Sequence, residues 1–317
     1  MSPLFSVIIP VFNKGDLLRQ ALWSVRDQSF QDFEVIVVDD ASTDNSLDCL
    51  YEFSSLNILL LRRELPGPGG YAARNLAVKH SKGQWITFLD ADDLWFSNHL
   101  STVAKVIQQD CQFAFACTAF REISSNKVKQ VGFDHDAQFT ASSFLNLYSK
   151  RDLIHTNSII VRRNYFFDAG GFPEHNVFRA GDHVLWLRLV LLGHPIFLIS
   201  EVTTYYRITH SGVVANPKTL RGDHPVVDVV QHVLSGKLSI PPSWNKKEIR
   251  LLKNLANRKS LLWMTNRKSL GALPICCMSL PYPFSLTPMN LLRWIANIAI
   301  PRNFLNKLIA IKHKIGL

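Results

Sequence analysis

Apolar runs of strand length alternate with amphipathic runs of helix length through the first 120 residues, and few architectures satisfy that alternation. The apolar runs are SVIIPVF (6–12), EVIVVDD (34–40), NILLLRR (57–63), QWITFLD (84–90) and FAFACTAF (113–120); residues 17–25, 46–53, 72–79 and 100–108 carry helical patterns between them. Successive βαβ units bury both kinds of run in a mainly parallel central sheet flanked by helices. Strands this apolar at nearly every position need cover on both faces. Two of the runs end in acids, Asp39-Asp40 and Asp90-Ala91-Asp92. In an open parallel sheet the carboxyl ends of the strands line the ligand crevice, so both acidic clusters are expected at one cleft. The Asp-Ala-Asp spacing sends two carboxylates to one side of an extended segment, where they can share a hard cation whose shell a phosphate completes. A nucleotide-diphosphate and metal site is the chemistry this pattern predicts.

Each cluster also has a plainer reading. Asp39 and Asp40 could be a strand end meeting a helix cap, or one could accept hydrogen bonds from a nucleobase or ribose. Asp90, Asp92 and Asp93 could lie in a solvated turn, but three acids within four residues repel one another unless a cation is present, and Mg2+ or Mn2+ suits an oxygen-only set. Asp44 can cap the helical pattern that follows it, and LPGPGG makes a loop before the next helix.

Beyond residue 120 the pattern is less regular: a polar excursion over 121–139, a short helix over 141–149, a strand over 158–163, a turn at GGFPE (170–174) and a helix over 182–192. FDHDAQF (133–139) offers Asp134, His135 and Asp136, read as a solvated loop. HTNSII (155–160) reads as ordinary turn chemistry before a strand, or as an edge of the acceptor pocket. Near Asn216 the composition shifts. Residues 1–210 carry 19 Lys and Arg against 22 Asp and Glu, and residues 211–317 carry 16 against 3. The expected organisation is therefore a domain over 1–215, with a nucleotide-binding half over about 1–120 and an acceptor half over about 121–215, followed by a basic, mainly α-helical region over 216–317.

The stretches SVIIPVFNKGDLLRQALWSVRDQSFQDFEVIVVDDASTDNS, GGYAARNLAVKHSKGQWITFLDADDLW, GGFPE and GDHVLWLRL together resemble the inverting glycosyltransferases of family 2, whose fold is GT-A, a Rossmann-like nucleotide-sugar-binding domain. The resemblance implies roles for particular residues. Pro10, Phe12 and Asn13 would edge the nucleotide pocket. Asp40, with Asp39 beside it, would hold the uracil and ribose side, and Arg74 would lie near the base and diphosphate. Asp90 and Asp92 match the DXD pair, with Asp92 as direct ligand of Mn2+ or Mg2+ and Asp90 toward the ribose or a metal-bound water. Asp182 matches the catalytic base, although it could equally cap its helix. This chain has Gly181 where the family usually has Glu. The YRITHSG segment has one extra residue before His210, so His210 is either a metal or diphosphate contact or a structural histidine. On the helix after Asp182, core packing is the expectation for Trp186.

Five cysteines without paired spacing fit a reducing compartment, and the N-terminus lacks a basic leader. No apolar run reaches the ~18 residues that span a bilayer. A cytoplasmic location is expected, with peripheral attachment to the inner face of the membrane through residues 291–317, where apolar and basic residues take separate helical faces. Packing of that tail on protein, including a homo-oligomer, is the competing expectation, and nucleic acid is not expected as a partner. The implied activity is metal-dependent transfer of a hexose or N-acetylhexosamine from a UDP-sugar to a saccharide or lipid-linked saccharide in cell-surface polysaccharide assembly (lipopolysaccharide, O-antigen or capsule). The rivals are transfer to a polyprenyl phosphate and a non-catalytic saccharide-binding scaffold on the same fold.

Overall fold

Strand β1 (Phe5–Val11) is buried along almost its whole length, and it pairs in parallel with β2 (Phe33–Asp39) on one side and with β4 (Trp85–Phe88) on the other. Val7, Ile8 and Ile9 and then Val35 to Val38 have no exposed surface, as double-sided cover demands. Helix α1 (Asp16–Arg26) supplies part of that cover through Leu18, Ala21, Leu22 and Val25, a one-sided stripe at helical spacing. The outermost parallel partner of β2 is β3 (Ile58–Arg62). Helix α2 (Tyr71–His80) precedes β4, the short β5 (Leu94–Trp95) follows it, and α3 (His99–Gln109) leads back toward the next long strand.

The remaining strands are β6 (Phe115–Ser124), β7 (Lys127–Val131), β8 (Ala137–Phe139), β9 (Ile159–Arg162) and β10 (Ile196–Arg207); the helices among them are α4 (Ala141–Tyr148), α5 (Arg163–Asp168) and α6 (Gly181–Leu191). The ten strands among the described residues form one sheet in the order β3-β2-β1-β4-β9-β6-β10-β5, with β7 on β6 and β8 on β10. Pairing is parallel from β3 through β4 and between β6 and β10, whereas β9 runs antiparallel to both its neighbours. The sheet is thus mixed: β9 closes the gap between the parallel first half and the second half. The polar excursion carries strand structure, since β6 continues into it and pairs antiparallel with β7. Four of the five β7 residues are exposed, so no apolar alternation marked the hairpin. Asp136, placed in a solvated loop by its sequence, accepts hydrogen bonds from the Ser200 N–H (2.8 Å) and hydroxyl (2.7 Å). Ser46–Leu56 forms a 3-10 segment interrupted at Phe53 where an α-helix was expected.

The structure, a computed structural model, describes residues 2–109, 112–125, 127–208, 219–220, 222–269 and 282. The chain divides into two compact units, Met1–Phe144 with Asp152–Val213, and Leu145–Arg151 with Val214–Leu317. The first holds the sheet. The second contains α7 (Val226–Leu234), which buries Val226, Val227, Val229, Val230 and Val233, and the 24-residue α8 (Lys246–Ser269). Within it the Arg258 guanidinium donates to the Tyr148 carbonyl (2.9 Å), and Asn257 bonds the Tyr282 backbone at both N–H and C=O. Among the described residues no helix is long and apolar enough to cross a membrane. Residues 291–317 and His210 lie outside the described residues.

Candidate active site

The parallel register brings the carboxyl ends of β1, β2 and β4 to one edge: Val11 pairs with Asp39, and Ile8 with Phe88. The chain leaves each strand there and must satisfy its freed backbone groups locally, which it does with short polar side chains. Asn13, at φ 51°, accepts from the Thr43 N–H (2.8 Å) and donates its own N–H to Ser42 Oγ (3.2 Å). Asp39 accepts from the Ser42 N–H (2.9 Å), so its carboxylate is spent on the turn after β2. Asp40, 2% exposed, pairs with Arg63 and accepts from the Gly67 N–H (3.1 Å). Pro10 faces the Gly70 turn, and Phe12 is exposed.

The second acidic cluster sits beyond β4. Asp90, Asp92 and Asp93 each offer a carboxylate oxygen, and these atoms lie within 4.8 Å of one another. Burial raises the Asp90 carboxyl, but the Arg74 guanidinium, helped by His155 and Lys14, outweighs it and holds the group below its ordinary value. Burial and the neighbouring Asp90 push Asp92 up in spite of its ion pair with Lys14. Asp93 is driven well up by burial, then by Asp90 and Asp92. An all-oxygen donor set, crowded and self-repelling, fits a hard divalent cation, because a cation relieves the repulsion that otherwise favours protonation.

Three residues hold this loop in place, and local sequence did not reveal them. Asn157, fully buried, accepts from the Asp90 N–H (2.8 Å) and donates to the Asp93 carboxyl. Arg207 donates its own N–H to Asp93 (2.6 Å), its guanidinium to the Asp92 carbonyl, and a further N–H to Gln20 (2.7 Å). Lys14 reaches over from the end of β1. The 3-10 turn that carries Asn157 (Thr156–Ser158) is set by a capping box of His155 and Ser158.

Arg74 and Asn75 open onto different structures. Arg74 pairs with Asp90 and donates to the Gly69 carbonyl (2.8 Å). Asn75 clamps the GGFPE turn: it accepts from the Phe172 N–H (3.0 Å) and donates to the Phe172 carbonyl (2.9 Å) and to Glu174 (2.8 Å). That turn leads into α6, whose first turn carries Asp182. The Tyr71 hydroxyl accepts from the Gly181 N–H (2.8 Å), and a Cβ on Gly181 would lie 2.8 Å from the Tyr71 ring and 2.9 Å from Pro173. A larger residue does not fit there, which accounts for glycine where the resemblance would place Glu. Trp186 is fully buried, edge-on to Phe172.

Asp182 and Asp90 act on the same neighbours. Burial lowers His155, and Asp90 and then Asp182 pull it back up. Burial opposes the charge on Arg74, but Asp90, Tyr71 and Asp182 leave its pKa raised. Burial raises the Tyr71 phenol, and Asp182 raises it further. Burial lowers Arg179 against the pull of Tyr206 and Asp182. His155 lies against Tyr206 with ring centroids 4.0 Å apart. The triad and Asp182 therefore share a cluster of cationic and aromatic groups, of which Arg74 and Tyr71 are buried and His155, Arg179 and Tyr206 half-buried.

The sequence model of "Glycosyl transferase family 2" matches residues 6–169. The Escherichia coli protein "UDP-Glc:alpha-D-GlcNAc-diphosphoundecaprenol beta-1,3-glucosyltransferase WfgD" is 34% identical over 217 residues, 67% of this chain and 80% of that one. The Bacillus subtilis "Putative teichuronic acid biosynthesis glycosyltransferase TuaG" is 28% identical over 68% of this chain and 82% of its own length. A crystal structure of Staphylococcus aureus TarS 1–349 in complex with UDP-GlcNAc superposes with a TM-score of 0.68 at 21% identity, covering 94% of this chain and 89% of that one. The chain belongs to glycosyl transferase family 2 and has the GT-A fold. It is a glycosyltransferase.

Proposed function

We propose that this protein is an inverting glycosyltransferase that moves a hexose or N-acetylhexosamine from a UDP-sugar to a lipid-linked saccharide during assembly of a cell-surface polysaccharide. The observation that carries this reading is the acidic cluster beyond β4, where Asp90, Asp92 and Asp93 oxygens lie within 4.8 Å of one another and Arg74 pairs with Asp90. A donor diphosphate would meet its metal ion and a fixed cation there. The uridine would lie along Asn13 and Asp40, with Arg63 and Gly67 fixing the Asp40 carboxylate. Asp92 and Asp90 would hold Mn2+ or Mg2+, which when bound neutralises charge gathering on the diphosphate leaving group.

The chain's own residues supply the rest. Asp182 takes the proton from the acceptor hydroxyl as it attacks the anomeric carbon from the face opposite the diphosphate, and a single displacement inverts that centre. Arg74 stays charged beside the leaving group. Burial keeps His155 toward its neutral form, so it orients rather than adds a second cation. The lipid-linked acceptor and the polysaccharide pathway are taken from what WfgD and TuaG are named for. The domain limits of 1–215 and 216–317, and a peripheral inner-face membrane location through 291–317, belong to the same proposal.

The test is transfer from UDP-glucose and UDP-GlcNAc to a GlcNAc-diphospho-lipid with Mn2+ present, with the product linkage read by NMR. A β-linked product from the α-linked donor is expected. No transfer from either donor, or retention of configuration, overturns the reading. Full activity of Asp182→Asn on a bare polyprenyl phosphate would favour that acceptor instead, because a phosphate nucleophile needs little help from a base.

A further inference from the structure

The acidic cleft contains three ion pairs, Arg63 with Asp40, Arg74 with Asp90 and Lys14 with Asp92, and their cations differ in how freely they can leave. The Arg74 side chain is 7% exposed and is also tied to the Gly69 carbonyl, so it stays. The Lys14 side chain is 22% exposed and carries a compact ammonium on a flexible four-carbon stem. The backbone that carries it is rigidly held. Its N–H donates to Ser46 Oγ (2.7 Å), the Gly15 N–H donates to the same oxygen (2.8 Å), and the Leu17 N–H closes a turn on the Lys14 carbonyl (3.0 Å). The anchor fixes where the ammonium can reach, and the partly exposed, flexible side chain lets it withdraw into water.

A divalent ion at the triad needs Asp92 oxygen at roughly 2.0–2.2 Å, close to the atom that now accepts the Lys14 hydrogen bond. The two cations would stand within a few ångströms of each other and repel across that carboxylate, so each weakens the hold of the other. We propose that Lys14 is a built-in competitor of the metal ion: it neutralises Asp92 until the ion arrives and is displaced when it binds. The device keeps a crowded, buried acidic loop folded without metal, at the expense of metal affinity. It rests on the reading of the triad as a metal site.

The test is Mn2+ affinity of the full chain without nucleotide, measured by calorimetry and by loss of the free-Mn2+ resonance signal, for the parent, Lys14→Met and Lys14→Arg. Removing the competitor should tighten Mn2+ binding about tenfold in Lys14→Met, the order set by one hydrogen bond to a charged group. Lys14→Arg, which keeps a cation there, should stay within about twofold of the parent on the same scale. Lys14→Met should also melt earlier than the parent without metal and gain more from added Mn2+. Unchanged or weaker Mn2+ binding in a folded Lys14→Met protein overturns the proposal while leaving the metal site standing. Absence of Mn2+ binding in parent and variant alike overturns the metal reading with it.

Discussion

Replacing Asn157 by Leu keeps the branched shape of the side chain and removes both of its polar atoms. In the native protein that amide accepts from the Asp90 N–H at 2.8 Å and donates to the Asp93 carboxyl, with no exposed surface of its own. The substitution therefore leaves one buried N–H and one buried carboxyl each short of a partner. A buried donor left unsatisfied costs about 1–3 kcal/mol, and loss of a hydrogen bond to an ionisable partner about 1.5–3 kcal/mol, so about 4 kcal/mol is the expected total. For a unit of this size each kcal/mol moves the melting temperature by roughly 2–4 °C, which places Asn157→Leu roughly 8–16 °C below the parent. Scanning calorimetry reads that shift, and a Mn2+ titration of the surviving folded protein reads the geometry of the loop. Mn2+ affinity should fall with it, because Asp90 and Asp93 lose their common anchor. A drop of less than about 2 °C, roughly the shift for 1 kcal/mol or less, together with unaltered Mn2+ binding would refute the bracket assigned to Asn157.

Two further outcomes are expected. His99 is fully buried, its Nδ1 lies 2.7 Å from the Thr203 hydroxyl, and burial lowers its pKa from 6.5 to about 3. The unfolded chain takes up a proton there below pH 6.5 and the folded chain does not, so the stability His99 permits is complete above that pH and is lost as pH falls toward 3. Urea midpoints between pH 7 and 4.5 should therefore show the parent losing up to about 1.4 kcal/mol per pH unit more than His99→Gln, and equal slopes would contradict it. Asp182→Asn should lower kcat for transfer to a saccharide hydroxyl by roughly 10²–10⁴ with little change in donor KM, since a general base acts in the transition state; a loss confined to KM would remove Asp182 from that role.

The parts of the fold legible in sequence are those that local pattern encodes. The alternation over residues 1–120 marks β1 to β4 because each strand is covered on both faces, and the acids after β2 and β4 mark the carboxyl edge because a polar residue breaks each run. The β6–β7 hairpin escaped notice for the opposite reason: β7 is solvent-facing and charged, so nothing apolar repeats. The direction of β9 is equally silent in sequence, because an antiparallel strand buried between two others has the same composition as a parallel one. Among the proposed site residues, Asp40, Asp90, Asp92 and Asp182 stand out by type and position, whereas the groups around them do not. Asn157 is 64 residues from Asp93, Lys14 is 78 from Asp92, and Arg207 is 115 from Asp92. An Asn before a strand or a Lys before a helix is common turn chemistry, and only the folded register gives either one its partner. Gly181 shows the same limit: its sequence reads as a missing carboxylate, and its surroundings show a position closed by the Tyr71 ring and Pro173.

Acids from two strand ends that form one metal-assisted donor site should bind UDP together. Calorimetric titration of the protein with UDP, in Mn2+ and in EDTA, reads this when the parent is compared with Asp92→Ala and Asp40→Ala. UDP binding in the parent should depend on Mn2+, be lost in Asp92→Ala and weaken at least about tenfold in Asp40→Ala, the scale of a lost hydrogen bond to a charged group. UDP binding that is indifferent to EDTA and to both substitutions would contradict it.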